Sequence, residues 1–234
     1  AHYNLGNVLR EHKQLEKAVQ CYQQAVQLNP EFAEAQSNLG TALKDLGRLN
    51  EAAICYQRAT EINPSYLEAR CNLGTAFRML GRTNQALFCF QEAIKMQPQS
   101  LPNNIQFHLL LPIIPASSDD IASWRERYRC GIAALIKNES LELDDEQLSH
   151  HSFYLAYHNT SDRPIMEALC HFYRSRVPSL NFISPHLARW QAPASRRQRI
   201  KVGILSEFLC RHTIGKHYKG FIAHLDRSRY EVII

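Results

Sequence analysis

Residues 33–66, AEAQSNLGTALKDLGRLNEAAICYQRATEINPSY, carry a pattern that recurs on both sides of this stretch. The tripeptide NLG occurs at residues 4–6, 38–40 and 72–74, and a proline closes each unit. The interval between equivalent residues is 34 in every case. A fixed period of this length is typical of an array in which each unit folds as a pair of helices. The sequence therefore predicts stacked helical hairpins over residues 1–100.

The spacing of small, aromatic and proline residues within each unit supports this prediction. When Ala33 is position 1, glycine falls at position 8, alanine at 20 and 27, an aromatic residue at 24 and proline at 32. Small residues at 8 and 20 let the paired helices approach closely, and the aromatic residue fills the contact with its neighbours. Proline at 32 prevents the second helix from continuing. Each unit can bury its apolar stripe only by stacking on another unit.

This set of positions resembles the tetratricopeptide repeat (TPR). We assign three repeats: a partial one at 1–32, followed by complete repeats at 33–66 and 67–100. Because the first repeat begins at position 3, we expect the native array to be longer. Cys21, Cys55 and Cys89 are each one repeat period apart and share one repeat position, so they are predicted to be packing residues rather than disulfide partners.

The first helix of each TPR pair lines a groove, so polar residues there are candidates for ligand contact. Asn4, Asn38 and Asn72 share position 6, and Arg10, Lys44 and Arg78 share position 12. An amide side chain can donate to and accept from the backbone of an extended peptide, which suits a groove that binds many sequences. The alternative is that the asparagines bond between neighbouring helices for structural reasons. The repeat spacing alone leaves both hypotheses open.

Residues 101–195 form a predicted helical connector. The period is interrupted after Pro98 by several further prolines and turn-forming residues. Ser118 or Asp119 can cap a helix through residues 120–138, and two more helices are predicted over 144–159 and 163–177. His150, His151, His158 and His171 lie in this part without the spacing of a metal-ligand set, so no metal site is predicted.

Residues 196–234 change character to strand, helix and strand. IKVGIL and YEVII are short apolar runs on either side of an amphipathic segment, TIGKHYKGFIAHL. This order predicts the opening βαβ unit of a parallel sheet, with a ligand-binding loop after its first strand. This part contains nine Lys and Arg but only three acidic residues, so it carries all of the excess positive charge of the chain, whose net charge is +5. Such a charge suits a phosphate-bearing ligand or an acidic partner, and a solvated linker is the alternative.

The TPR array, the connector and the segment RIKVGILSEFLCRHTIGKHYKGFIAHLDRSRYEV together resemble the O-linked N-acetylglucosamine transferase family. The resemblance implies a mainly α chain: a TPR helical-hairpin superhelix, the connector, and the truncated first βαβ unit of a glycosyltransferase fold B lobe. Members transfer GlcNAc from UDP-GlcNAc to Ser or Thr of proteins, which the TPR groove guides through an asparagine ladder. His212 corresponds to the histidine of the first catalytic loop, and Arg211 and Lys216 are near enough to assist phosphate. No metal cofactor is implied.

The chain is expected to be a fragment, because a lobe of such an enzyme needs on the order of 100 to 150 residues. On this hypothesis the chain supplies mainly the peptide-binding arm, its catalytic activity is expected to be absent in isolation, and most nucleotide-sugar contacts lie in a lobe beyond it.

The alternative function is a TPR scaffold without catalytic activity. The arrays that bind chaperone tails carry basic clamp residues where Tyr3, Glu68 and Asn72 stand, so that subclass is disfavoured. Nucleic-acid binding lacks an aromatic-interleaved basic motif, and no apolar run is long enough for a membrane span. A homo-oligomer is compatible with the sequence, and the absence of a disulfide framework favours a cytoplasmic location.

Overall fold

The structure is a computed structural model that describes residues 1–141, 153–158, 160–176, 200–203 and 230–233. The chain divides into two compact units, Ala1–Asn181 and Phe182–Ile234. The first unit contains nine α-helices among its described residues and one 3₁₀ helix, Phe153–His158. The α-helices are α1 (His2–Glu11), α2 (Leu15–Leu28), α3 (Ala33–Asp45), α4 (Leu49–Ile62), α5 (Leu67–Met79), α6 (Thr83–Met96), α7 (Leu101–His108), α8 (Ser118–Lys137) and α9 (Arg163–Arg176).

Helices α1 to α6 form the three predicted hairpins. Each helix packs on the next along the chain, which gives the hairpins α1–α2, α3–α4 and α5–α6 and the contacts between them. The alanines at position 20 (Ala18, Ala52, Ala86) are fully buried, and so are the aromatic rings at position 24 in all three repeats. Cys89 is buried and Cys55 packs against the same core, so the predicted packing role is confirmed for these two thiols.

The glycine at position 8 sits directly on the aromatic ring at position 24 of its own repeat. A Cβ atom added to Gly40 would lie 2.9 Å from Cε1 of Tyr56, and one added to Gly74 would lie 2.8 Å from Cε1 of Phe90. Gly6 has the same relation to Tyr22 in the first repeat, at 2.6 Å. Carbon atoms do not approach so closely, so any side chain at position 8 would force the two helices apart.

Helix α7 begins in register with the repeats. The first helices of repeats two and three begin at Ala33 and Leu67, and α7 begins one further repeat period along the chain, at Leu101. The interruption expected after Pro98 therefore shortens this helix to 8 residues but does not displace its start. Ser100 caps it, since its Oγ accepts from the N–H of Asn103 at 3.4 Å, and Pro102 fits in the first turn where no N–H partner is required.

A second core joins α7 to α8, the 3₁₀ helix and α9. Its largest fully buried side chains include Tyr128 of α8 and Phe172 of α9. Arg127 fastens α8 to the end of α7: its guanidinium donates to the backbone oxygen of Phe107 at 2.6 Å and lies over the Phe107 ring. A cation at this end of a helix satisfies carbonyls that have no partner within the helix.

Helices α8 and α9 lie where two of the three connector helices were predicted. Helix α8 is present, but its cap is Ser117 rather than Ser118 or Asp119, so that prediction was wrong by one residue. The physical reason is a reciprocal pair: Ser117 Oγ accepts from the N–H of Asp120 at 3.1 Å, while Asp120 Oδ2 accepts from the N–H of Ala116 at 2.8 Å. Helix α9 contains Pro164 in its first turn as expected. Of the helix predicted over 144–159, the described part is the 3₁₀ helix.

In the second unit two short strands are described, β1 (Ile200–Gly203) and β2 (Tyr230–Ile233). They pair in parallel, with Ile200 opposite Tyr230 and Gly203 opposite Ile233. Both strands were expected from the sequence, and the helix expected between them lies outside the described residues. Within the described part of the chain, no helix combines the length and apolar character needed to cross a bilayer.

We expect Gly40→Ala to lower the free energy of unfolding by about 1–3 kcal/mol, because the added methyl group overlaps the Tyr56 ring. Urea denaturation followed by helical circular dichroism measures this loss. In a Tyr56→Leu background the same glycine substitution should cost clearly less, because the ring is gone. An equal cost in both backgrounds would contradict the proposed contact.

Candidate functional site

Four amide side chains occupy one repeat position on the first helices. Asn4 lies on α1, Asn38 on α3, Asn72 on α5 and Gln106 on α7, and each is one repeat period from the next. Helix α1 contacts α3, and α3 contacts α5, so the carriers of these side chains are neighbours. We call these four residues the amide row. Gln106 was missed in the sequence, because the repeat was taken to end at Pro98; the constant repeat spacing was the signal that could have revealed it.

Asn38 uses its amide nitrogen to join the first two repeats. Its Nδ2 donates to the hydroxyl of Tyr3 and to Oδ1 of Asn7, both at 3.0 Å. Oδ1 of Asn7 also accepts from the Tyr22 hydroxyl at 2.7 Å, so one oxygen holds two donors. The hypothesis that the asparagines bond between neighbouring helices for structural reasons therefore holds for the nitrogen of Asn38. Its Oδ1 has no hydrogen-bond partner among the residues that the structure describes.

This polar linkage weakens along the array. In repeat two the Tyr56 hydroxyl donates to Thr41 Oγ1 at 3.1 Å, and Thr41 itself donates to the backbone oxygen of Ser37. Burial raises the pKa of Tyr56 to about 12, so this hydroxyl remains a neutral donor. In repeat three the ring at position 24 is Phe90, which has no hydroxyl, and Thr75 donates only to the backbone oxygen of Cys71.

Asn72 is half-buried on α5, and neither the oxygen nor the nitrogen of its side-chain amide makes a hydrogen bond with a described residue. The same is true of Gln106, which is also half-buried. Asn4 is exposed on α1. The row thus divides into a partly structural member, Asn38, and two half-buried amides that can both donate and accept.

The basic residues at position 12 lie on the same helices as the amide row. Arg10, Lys44 and Arg78 are each half-buried, and Nε of Arg78 is buried without a hydrogen-bond partner in the described residues. Arg10 also acts on Tyr22: burial raises the pKa of this phenol, and the nearby guanidinium offsets part of the rise. These cations add positive charge to the helices that carry the amides.

The remaining predicted site residues are not brought into this site. His212, Arg211 and Lys216, the predicted catalytic and phosphate-assisting residues, lie outside the described residues, as do His150 and His151. His158 is buried, and its burial together with the nearby Arg125 lowers its pKa; His171 is exposed on α9. Across the described ranges, no group of three or more His, Cys, Asp or Glu side chains is arranged to hold a metal ion.

Two family models match this part of the chain. One is described as TPR repeat and covers residues 6–47, and the other is described as Tetratricopeptide repeat and covers residues 31–99. The chain contains tetratricopeptide repeats. The matched ranges include α2 to α6 and all but the first residues of α1, so the TPR assignment made from the sequence is confirmed for this part. No curated protein sequence matches the chain at a significant level.

Several solved structures, among them TPR domains, resemble the chain over part of its length. The TPR domain of OM64 from Arabidopsis is 28% identical, with a TM-score of 0.43, covering 45% of this chain and 87% of that domain. MamA is 19% identical over 56% of this chain and 71% of its own, with a TM-score of 0.48. The second TPR domain of human RPAP3, solved with the HSP70 peptide SGPTIEEVD, is 23% identical over 45% and 88%, with a TM-score of 0.44.

Asn38 makes two hydrogen bonds through its side chain and Asn72 makes none, so their removal should affect stability unequally. Asn38→Ala should lower the free energy of unfolding by about 1–2 kcal/mol, because two hydrogen bonds are lost and the half-buried Asn7 oxygen keeps one donor fewer. Asn72→Ala should change it by less than about 0.5 kcal/mol. Urea denaturation of the full chain compares the two. Equal losses would show that Asn72 also has a structural role.

Proposed function

We propose that this chain is a protein-interaction scaffold that binds extended peptides along the amide row. The observation that carries the proposal is the pair of half-buried, uncommitted amides, Asn72 and Gln106, on neighbouring first helices. Neither amide is sealed from solvent in the free protein, so a ligand that supplies both a donor and an acceptor can replace water at these groups. The backbone of an extended peptide does so at every residue, whatever its side chains are.

The charges near the row indicate which peptides are favoured. Glu68 and Glu34 are exposed at position 2 of two successive first helices, while the cations occupy position 12. Tyr3, Glu68 and Asn72 stand where a clamp for a terminal carboxylate would need basic residues. An acidic tail would therefore meet a carboxylate at Glu68 instead of a cation. Uncharged or weakly basic extended segments suit the site better.

A peptide selection tests the proposal. Random twelve-residue peptides displayed on phage are selected on the full chain, and the affinities of synthetic winners are measured by fluorescence anisotropy. We expect the Asn72→Ala/Gln106→Ala variant to bind them about tenfold more weakly, since each lost hydrogen bond contributes about 0.5–1.5 kcal/mol. The matched control is Gln23→Ala/Gln91→Ala, which removes two exposed amides from second helices. SRMEEVD, the acidic HSP90 peptide, should bind poorly.

The proposal fails if no peptide is enriched, or if the control variant loses as much affinity as the Asn72→Ala/Gln106→Ala variant. Preferential binding of SRMEEVD would instead show that the chain selects acidic tails despite Glu68.

As a second candidate, we propose that the chain is part of a protein O-GlcNAc transferase for which the TPR array recruits substrates. The parallel pairing of β1 and β2 favours it, because parallel strands need a long crossover connection such as the expected helix. On this proposal the donor is UDP-GlcNAc, His212 accepts or relays the proton of a Ser or Thr hydroxyl, and Arg211 and Lys216 assist the diphosphate. No metal cofactor takes part.

The same proposal places the protein in the cytoplasm. The six cysteines within the described residues are free, which suits a reducing compartment.

The enzyme proposal predicts different behaviour for the chain alone and for a larger protein that contains it. The 234-residue chain should show no measurable heat of UDP binding, because on this proposal residues 196–234 supply only the opening of the first lobe. A transferase containing this chain should transfer GlcNAc to proteins and lose at least 100-fold in rate on His212→Ala, in the range typical of general acid–base groups. Micromolar UDP binding by the isolated chain, or a fully active His212→Ala enzyme, would contradict the proposal.

A further inference from the structure

A cleft of about 340 Å³ opens between α5 and α7, next to the turn that follows α6. Its polar wall includes Glu68, Cys71 and Thr75 of α5, Asn103 and Gln106 of α7, and Gln97 and Ser100 of the turn between α6 and α7. Leu67, Phe90 and Pro102 provide apolar surface. Gln106 belongs to both the cleft and the amide row, so the cleft lies where the row ends within the described residues.

Asn103 is out of place in the repeat pattern. It occupies position 3, where the earlier repeats have Ala35 and Ala69, both fully buried. Asn103 is also buried, at 7% exposure, yet its Nδ2 has no hydrogen-bond partner in the described residues. A buried amide nitrogen without a partner costs about 1–3 kcal/mol, and alanine would fit the site without that cost. Packing therefore does not account for the amide.

The neighbouring Asn104 shows how a structural asparagine is satisfied in the same helix. It is also buried, and its Nδ2 donates to the backbone oxygens of Pro98 at 3.0 Å and Ser100 at 2.9 Å. By contrast, the side chain of Asn103 is engaged only at Oδ1, which accepts from the Cys71 thiol at 3.3 Å. Thiols are weak donors, and the asparagine χ2 torsion is soft, so little opposes a rotation of this amide toward the cleft.

The groups around the cleft define the ligand chemistry. Asn103 requires an acceptor for its nitrogen, while the Glu68 carboxylate accepts a donor and the Gln106 amide can do either. The only charged side chain in the described wall is the carboxylate of Glu68, which disfavours anions. A cation would leave the Asn103 nitrogen unsatisfied, since ammonium and guanidinium groups only donate. An uncharged amide supplies a carbonyl and an N–H together.

We infer that the cleft between α5 and α7 is a subsite that binds an uncharged amide group of a peptide lying on the amide row. The inference deepens the proposed function and rests on it in one respect, namely that a peptide carries the amide. The amide belongs either to an Asn or Gln side chain or to the peptide backbone, and both present the same two groups.

Small amides test the subsite without a peptide. Propionamide imitates a side-chain amide and N-methylacetamide imitates the backbone; propionate and propylammonium are the charged counterparts. Because such small ligands bind weakly, titrations extend to about 200 mM. The readout is the rate of modification of Cys71 by methyl methanethiosulfonate in the full chain, followed by mass spectrometry.

Cys55 is the internal control. It is half-buried like Cys71, and burial raises the pKa of both thiols to about 11, but only Cys71 lines the cleft. We expect amides to slow modification of Cys71 at least twofold and to leave Cys55 unchanged. The charged counterparts should protect neither thiol. Stronger protection by propionamide would indicate that the peptide supplies a side-chain amide, and stronger protection by N-methylacetamide would indicate a backbone amide.

Two variants separate this role from a structural one. Asn103→Ala restores the residue found at Ala35 and Ala69, so it should melt at the same or a higher temperature and abolish protection by amides. Asn104→Ala should lower the melting temperature, because two hydrogen bonds are lost, and retain the protection. Protection that persists in Asn103→Ala, or equal protection by propionate, overturns the inference. Either result leaves peptide binding at Asn72 and Gln106 to be judged by the phage selection.

Discussion

The contact between a glycine at position 8 and an aromatic ring at position 24 governs the architecture of the repeats. It recurs in all three hairpins, with a hypothetical Cβ only 2.6–2.9 Å from the nearest ring carbon. Such a contact fixes how closely the two helices of a hairpin approach, and hence where the next first helix lies. Because the spacing is the same in every unit, side chains one repeat period apart fall on equivalent positions of neighbouring helices. The amide row is a direct result of this regularity.

What varies between repeats is polar rather than apolar. Tyr22 and Tyr56 carry a hydroxyl that must be satisfied, and Asn7 and Thr41 at position 9 accept from it. Where Phe90 replaces tyrosine the need disappears, and Thr75 at position 9 donates within its own helix, to the backbone oxygen of Cys71. Asn38 is held by Tyr3 and Asn7, at positions 5 and 9 of the preceding repeat, whereas Ser37 and Thr41 occupy those positions before Asn72 and make no side-chain bond to it within the described residues. The residues at positions 5 and 9 thus decide whether the next amide serves stability or remains open to a ligand.

The hairpins, α8, α9 and the two strands could be predicted because each rests on a local pattern of apolar, small and proline residues. The start of α7 was missed although it keeps the repeat spacing, since four prolines between residues 98 and 115 suggested a break. Pro102 instead occupies the first turn, where proline is compatible with a helix. Within the amide row, Asn4, Asn38 and Asn72 were found from spacing, but their different bonding depends on contacts between repeats. The unpartnered state of Asn103 likewise follows only from tertiary packing.

The two bonds from Asn38 have a consequence for chain polarity. An amide whose nitrogen is held by Tyr3 and Asn7 cannot flip, so it shows an approaching strand a carbonyl oxygen and nothing else. Asn72 has no such restraint and can turn either end outward. An extended segment crossing α3 must therefore offer an N–H at that point, which proline lacks. A proline in the peptide would be excluded opposite Asn38 and accepted opposite Asn72. The positions of its prolines would therefore set the register in which a peptide binds.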